Sequence, residues 1–222
     1  LPSHASMVHG LLMDKPVEIS SFAGSCCSGM HAMRYAYLSI LSGERNNAVC
    51  TGSEKLSTWM HAKNYKHEPD NVDRIRKEPI VAFEKDFLRW MLSDGAGAAL
   101  LSPEPNTEGL SLRIDWIESA SYAHELDTCM YAGGEKLPDG SLKGWKDFPN
   151  EEVGEKTLFT LRQDVELLGR NIVPVGNTFF LDIAKRRGLD MKDVDWFLPH
   201  LSSEFFRKRI EEELIRTNIP IP

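Results

Sequence analysis

What this sequence lacks argues against two kinds of partner. It has no block of lysine and arginine, and its 33 acidic residues outnumber 26 basic ones for a net charge of −7. That balance disfavours nucleic acid or an anionic membrane as the main partner. No apolar run approaches the roughly 20 residues of a membrane span, and the first residues lack a signal-peptide pattern. Cysteine is scarce: the four, at positions 26, 27, 50 and 129, show no metal-ligand spacing, and a bridge between the two neighbours would be strained. We read a reducing compartment, the cytoplasm, with no metal. No internal repeat is legible. An initiator Met is absent and the chain stops in the linker-like Ile219-Pro220-Ile221-Pro222, so both ends read as cut. The basic run Arg207-Lys208-Arg209 is a candidate dock for an acidic carrier, and a solvated helix face explains it just as well.

What is present is ordinary globular material: 222 residues, 41% hydrophobic and 27% charged, enough for one sizeable core or two half-domains. Val17 to Ala23 reads as extended, Gly24 to Gly29 is all small residues, and Met30 to Leu41 is apolar at helical spacing. The adjacent Cys26 and Cys27 therefore fall where a strand gives way to a helix. Backbone N–H groups and the positive end of the helix favour thiolate there, and the thiolate is the nucleophile. Asn47 to Gly52 reads as a buried strand, and strand, helix, strand implies a parallel pair with a right-handed crossover. Tyr65 to Lys77 is charged and reads as a surface excursion. Asp94 to Leu101 combines a Gly-rich turn with an apolar run, and Leu110 to Glu118 alternates as a half-buried strand does, so the two are expected to pair.

From Leu126 to Glu152 the composition shifts to Gly, Pro, Lys and Asp, as in an insertion or cover loop. A helical stretch from Glu155 to Arg187 is expected to break near Pro174 and Gly176 and to close at Gly188. Val194 to Leu198 reads as a strand that delivers Pro199-His200 at its carboxyl end, with Ser202 as N-cap of an amphipathic helix to Arg216. Trp196, Phe197, Phe205 and Phe206 read as core, as do Phe83, Phe87 and Trp90. His61, His67 and His124 read as exposed, and Cys50 and Cys129 as core or loop residues. Asp94-Gly95-Ala96-Gly97 lacks the Lys-Ser/Thr ending of a phosphate loop.

Three marks occur here in one order: a Cys at a strand-to-helix turn, the start Asp94-Gly95-Ala96-Gly97-Ala98, and a Pro-His at a later strand end. With Leu1-Pro2-Ser3, Ser25-Cys26-Cys27-Ser28-Gly29, Gly52-Ser53-Glu54-Lys55-Leu56-Ser57 and Val194-Asp195-Trp196-Phe197-Leu198-Pro199-His200, the chain resembles the ketoacyl synthase III type of thiolase-fold condensing enzyme. The resemblance implies an α/β fold, layered α-β-α-β-α with two pseudo-related halves and truncated. Residues 1–125 would form an N-terminal half lacking its first strands, 126–152 a cover loop, and 153–222 a C-terminal half lacking its end. It selects Cys27 as nucleophile, with Cys26 where the family usually has Ala, and only one of two neighbours can lie on the helix axis. It makes His200 the catalytic imidazole. Family chemistry has Cys27 take an acyl group from acyl-coenzyme A and pass it to a malonyl-type thioester on acyl carrier protein, with no cofactor of its own. A homodimer through Asn47 to Thr51 is expected on the same ground.

The pattern also departs from the family. Leu201-Ser202-Ser203 stands where Gln-Ala-Asn usually follows the His, and the Gly-Asn-Thr loop that supplies an Asn would lie beyond Pro222. Gly176-Asn177-Thr178 has the letters but sits upstream in a helical region, and reads as a chance match. These departures keep open an acyl transfer to a non-malonyl acceptor, and a catalytically silent dimer subunit.

Overall fold

The computed structural model describes residues 2–65, 72–77, 84 and 86–219. The chain divides into two units, one of Leu1–Lys55 with Ser93–Ser119, the other of Leu56–Leu92 with Ala120–Pro222.

In the first unit, helix α1 (His4–Leu12) starts at Ser3, whose hydroxyl accepts from the Ser6 amide at 3.2 Å and so satisfies one of the helix's orphan donors. Helix α2 (Ser28–Leu41) follows a short 3₁₀ turn, Ser25–Cys27, and ends just before Gly43 at φ 76°. The expected helix is therefore present and begins two residues earlier. Strand β1 (Ala48–Glu54) pairs antiparallel with β2 (Gly95–Leu101), Val49 opposite Leu100 and Gly52 opposite Gly97. Two expectations fail here. Val17 to Ala23 forms no strand, so β1 has no parallel partner among the described residues, and its ladder is with β2. Leu110 to Glu118 is not a strand either. Its backbone is clamped to α2 instead, where the Ile117 carbonyl accepts from Arg34 Nε at 3.3 Å and the Asp115 carbonyl from the Tyr37 hydroxyl at 2.9 Å. Leu110 and Leu112 stay exposed, because alternation specifies which side chains share a face but supplies no strand to pair with.

The second unit holds the short helices α3 (Val72–Lys77) and α4 (Asp86–Met91), with Phe87 and Leu88 buried. The expected surface excursion lies partly outside the described residues, as do Phe83 and His67. In the Gly- and Pro-rich stretch, β3 (Met130–Tyr131) pairs with β6 (Arg162–Gln163), and β4 (Gly134–Lys136) with β5 (Leu142–Gly144). The hairpin turns on Pro138-Asp139-Gly140, with the Ser141 amide and hydroxyl both donating to Asp139 Oδ1 at 3.0 and 2.6 Å and Gly140 at φ 84°. Helix α5 (Asn150–Glu155) leads to α6 (Val165–Arg187). Pro174 lies inside α6 without ending it. Proline removes one N–H, the bond to the residue 170 carbonyl, and the turns on either side of so long a helix carry it through. Gly188, left-handed at φ 63°, closes it as expected, and the Leu189 amide returns to the Ala184 carbonyl at 2.9 Å.

Val194 to Leu198 forms no strand and has no ladder partner among the described residues. Trp196 is 81% exposed, against the expectation that it is core, while Phe197 lies 5.7 Å from Phe180 of α6. Ser203, one residue later than expected, caps the turn Glu204–Phe206 by accepting from the Phe205 amide at 3.2 Å, and helix α7 (Arg207–Arg216) continues from it. Phe206, Leu214 and Ile219 are buried, and Phe205 is half exposed. Between α6 and α7, Asn177 Nδ2 donates to Glu213 Oε1 and Thr217 Oγ1, both at 3.2 Å. Asn177 of Gly176-Asn177-Thr178 is thus a buried polar contact between two helices.

Candidate active site

The turn that carries Cys27 is built from residues no ordinary strand or helix would accept. Gly24 has φ 148° and ψ 34°, Ser25 has φ 50°, and the Cys27 amide donates to the Gly24 carbonyl at 3.0 Å. Cys27 itself (φ −89°, ψ −9°) is the N-cap residue of α2, and its side chain makes no capping hydrogen bond. The preceding loop is clipped to α2 twice through Tyr35, and to the turn after α2 through Arg45. Glu18 accepts from the Tyr35 hydroxyl at 2.9 Å, it pairs with Arg45, and Phe22 meets Tyr35 at 5.5 Å between ring centroids. Arg45 and Tyr35 together hold the Glu18 carboxyl below its ordinary range. These contacts set where the turn sits on the helix. Cys26 and Cys27 are both exposed, and neither thiol makes a hydrogen bond among the described residues.

His200 is exposed on the loop before α7 and belongs to the second unit, whereas Cys27 belongs to the first. The other thiols are differently placed. Cys50 Sγ donates to the Ala32 carbonyl at 3.7 Å and Cys129 Sγ to the Asp164 carbonyl at 3.6 Å; both are half-buried, and burial pushes both thiols up. His61 and His124 are exposed as expected. Among the described residues no three His, Cys, Asp or Glu side chains converge as metal ligands would.

One feature carries no sequence signal strong enough to find it. A groove of about 360 Å³ runs between the start of α6 and α7, lined by Val165, Glu166, Gly169, Arg170 and Arg209. Arg209 donates to the Gly169 carbonyl at 3.4 Å and lies 4.7 Å from the Phe205 ring, and Arg170 pairs with Glu166 at 3.6 Å. Arg209 was visible as part of a basic run. Arg170 was not, because only the packing of α7 on α6 brings two distant guanidinium groups to one groove.

No family model matches the chain. Its fold matches that of a crystal structure of beta-ketoacyl-[acyl carrier protein] synthase III from Thermus thermophilus. The match has a TM-score of 0.51 and 19% identity and covers 98% of this chain and 54% of that one, which places the fold in the thiolase class. Proteins named beta-ketoacyl-[acyl-carrier-protein] synthase III are also similar in sequence. That of Chlorobium luteolum is 22% identical over 98% of this chain and 58% of its own length, and that of Campylobacter curvus 21% over 96% and 54%. A third, from Sulfurovum, is 22% identical over 96% of this chain and 53% of its own length. The chain is thus similar to proteins named ketoacyl synthase III, as its motifs indicated, and it spans rather more than half the length of those it matches.

Proposed function

We propose that this chain carries the acyl-accepting machinery of a condensing enzyme. The observation that supports the reading most is an exposed Cys27 at the N-cap of α2, within a chain that aligns along almost its whole length with ketoacyl synthases III. In this reading the Cys27 sulfur attacks the carbonyl of an acyl thioester and expels its thiol, leaving an acyl-cysteine. A malonyl-type thioester then loses carbon dioxide. The enolate so formed attacks the acyl carbonyl, a carbon–carbon bond forms, and the cysteine thiolate leaves. His200 is assigned the hydrogen bond that stabilises the enolate, because splitting one hard displacement into two and neutralising the developing oxyanion are the two economies this chemistry needs. No cofactor is required, and a cytoplasmic homodimer is part of the proposal. The donor is acyl-coenzyme A, and the malonyl group arrives on an acyl carrier protein, for which the basic run Arg207-Lys208-Arg209 is the candidate dock.

A second reading keeps acyl-Cys27 but hands the acyl group to a non-malonyl acceptor. It is favoured by Leu201-Ser202-Ser203, where the Ser203 hydroxyl is committed to capping the next turn. Two measurements decide. The full-length chain is incubated with acyl-coenzyme A and its intact mass read: an acyl adduct lost in Cys27→Ala supports both readings, and no adduct, or one that survives, removes both. Release of carbon dioxide from malonyl thioester then supports condensation, and acyl turnover without it supports the second reading.

A further inference from the structure

We infer that Cys26 is a resolving thiol for Cys27: a hydroperoxide oxidises Cys27, and Cys26 captures the product as a reversible disulfide between sequence neighbours. The inference rests on the proposed function only in taking Cys27 as the thiol that reacts first. Of the four cysteines only these two are exposed, whereas Cys50 and Cys129 are half-buried, bonded to carbonyls and pushed up by burial, so oxidant reaches positions 26 and 27 preferentially. The thiolate of Cys27 attacks the O–O bond, giving a sulfenic acid and releasing water or an alcohol. Cys26 sulfur then attacks that sulfur, the S–O bond breaks, water leaves and the S–S bond forms. Two thiols are oxidised by two electrons and the peroxide is reduced by two.

The backbone sets the character of that bond. Consecutive Cα atoms are about 3.8 Å apart across a trans peptide, shorter than the roughly 4.4–6.8 Å that disulfides prefer, so the bridge is strained and easily reduced. Closing it requires the 3₁₀ turn Ser25–Cys27 to reopen, since neighbouring side chains diverge around a helical turn. This turn is suited to that. Residues 24–27 are all exposed, Ser25 already sits at positive φ, and the turn is held by the Cys27 amide on the Gly24 carbonyl and by the Ser28 amide and hydroxyl on the Ser25 carbonyl, the hydroxyl at 2.9 Å. Opening it disturbs no core residue. While the bridge is closed Cys27 cannot be acylated, and it is shielded from irreversible oxidation.

The test treats the reduced full-length chain with hydrogen peroxide, quenches with iodoacetamide and maps the peptide spanning positions 26 and 27. The expected product is a peptide two hydrogens lighter, unalkylated at both sulfurs and restored by dithiothreitol. In Cys26→Ser the same treatment carries Cys27 to the sulfinic acid, a gain of two oxygens that dithiothreitol does not reverse, several-fold faster than in the unsubstituted chain. Sulfinic acid accumulating equally fast in both, or two chains linked through Cys27, overturns the inference. Should the variant fail to fold, the lost hydrogens and their recovery in the unsubstituted chain decide alone. Acyl labelling of the reduced chain is read separately. A disulfide without acylation sinks the proposed function and leaves this inference standing, and acylation without a disulfide does the reverse.

Discussion

At the scale of single residues, the chemistry depends on a few side chains whose neighbours can be named. Asp164 is the N-cap of α6, accepting from the Leu167 amide at 2.9 Å, and it also pairs with Lys136 Nζ at 2.7 Å. Burial alone would raise its carboxyl, but the Lys136 ammonium and the Leu167 amide outweigh it and hold the group below its ordinary value. Asp164→Ala is expected to cost about 1 kcal/mol for the cap, with a further penalty from leaving Lys136, 13% exposed, without its nearest carboxylate. Urea unfolding measures it, and an unchanged midpoint refutes the assignment. Asn177 makes a second residue-scale test. Asn177→Asp sets a carboxylate against Glu213 at a buried site and should destabilise by roughly 1–3 kcal/mol. Because its role is to clamp α6 to α7, the folded fraction of Asn177→Ala should still acylate at Cys27; loss of labelling in folded protein would give Asn177 a catalytic role.

At the scale of elements, helix α2 and the strands β1 and β2 were legible, and three further expected strands were not formed. Helix α2 and the closure of α6 at Gly188 follow from spacing and from a residue that tolerates positive φ, both local properties. Gly188→Ala is therefore expected to cost about 1 kcal/mol, since an L side chain at φ 63° is strained. Pro174→Ala should do the opposite and raise the melting temperature, restoring an N–H that the helix lacks. A melt that falls instead would mean that the proline ring is needed for packing. The strands expected at Val17 to Ala23, Leu110 to Glu118 and Val194 to Leu198 are absent for one shared reason. A strand is completed by hydrogen bonds to a neighbour, and no alternation of side chains supplies the neighbour. Where two suitable strands do meet, at Val49 and Leu100, the pairing is antiparallel and both side chains remain exposed.

At the scale of the whole molecule, acid is the informative perturbant. Glu18 is held below its ordinary value by Arg45, Asp139 by Ser141, Asp164 by Lys136 against burial, Glu204 by Arg207 and Glu213 by Arg216. A carboxyl whose folded value is depressed binds fewer protons when folded. Its stabilisation is complete above the unfolded value of about 4 and is lost as pH falls through the folded value. Stability should therefore be flat from pH 7 to about 5 and fall below about 4, read by urea unfolding at each pH. A midpoint unchanged down to pH 3 would mean that these ion pairs contribute nothing, as exposed pairs sometimes do.

Read alone, the order of residues was enough to locate the Cys26-Cys27 turn, the helix behind it, the Gly188 stop and the similarity to ketoacyl synthases III, because motif order, periodicity and special φ values are written into neighbouring positions. Only the folded chain decided that β1 pairs with β2, that Asp115 and Ile117 bind α2 through their carbonyls, and that Arg170 and Arg209 share a groove. Those are relations between residues far apart along the chain, and they arise when backbone donors and acceptors that water has left must find partners wherever packing brings them.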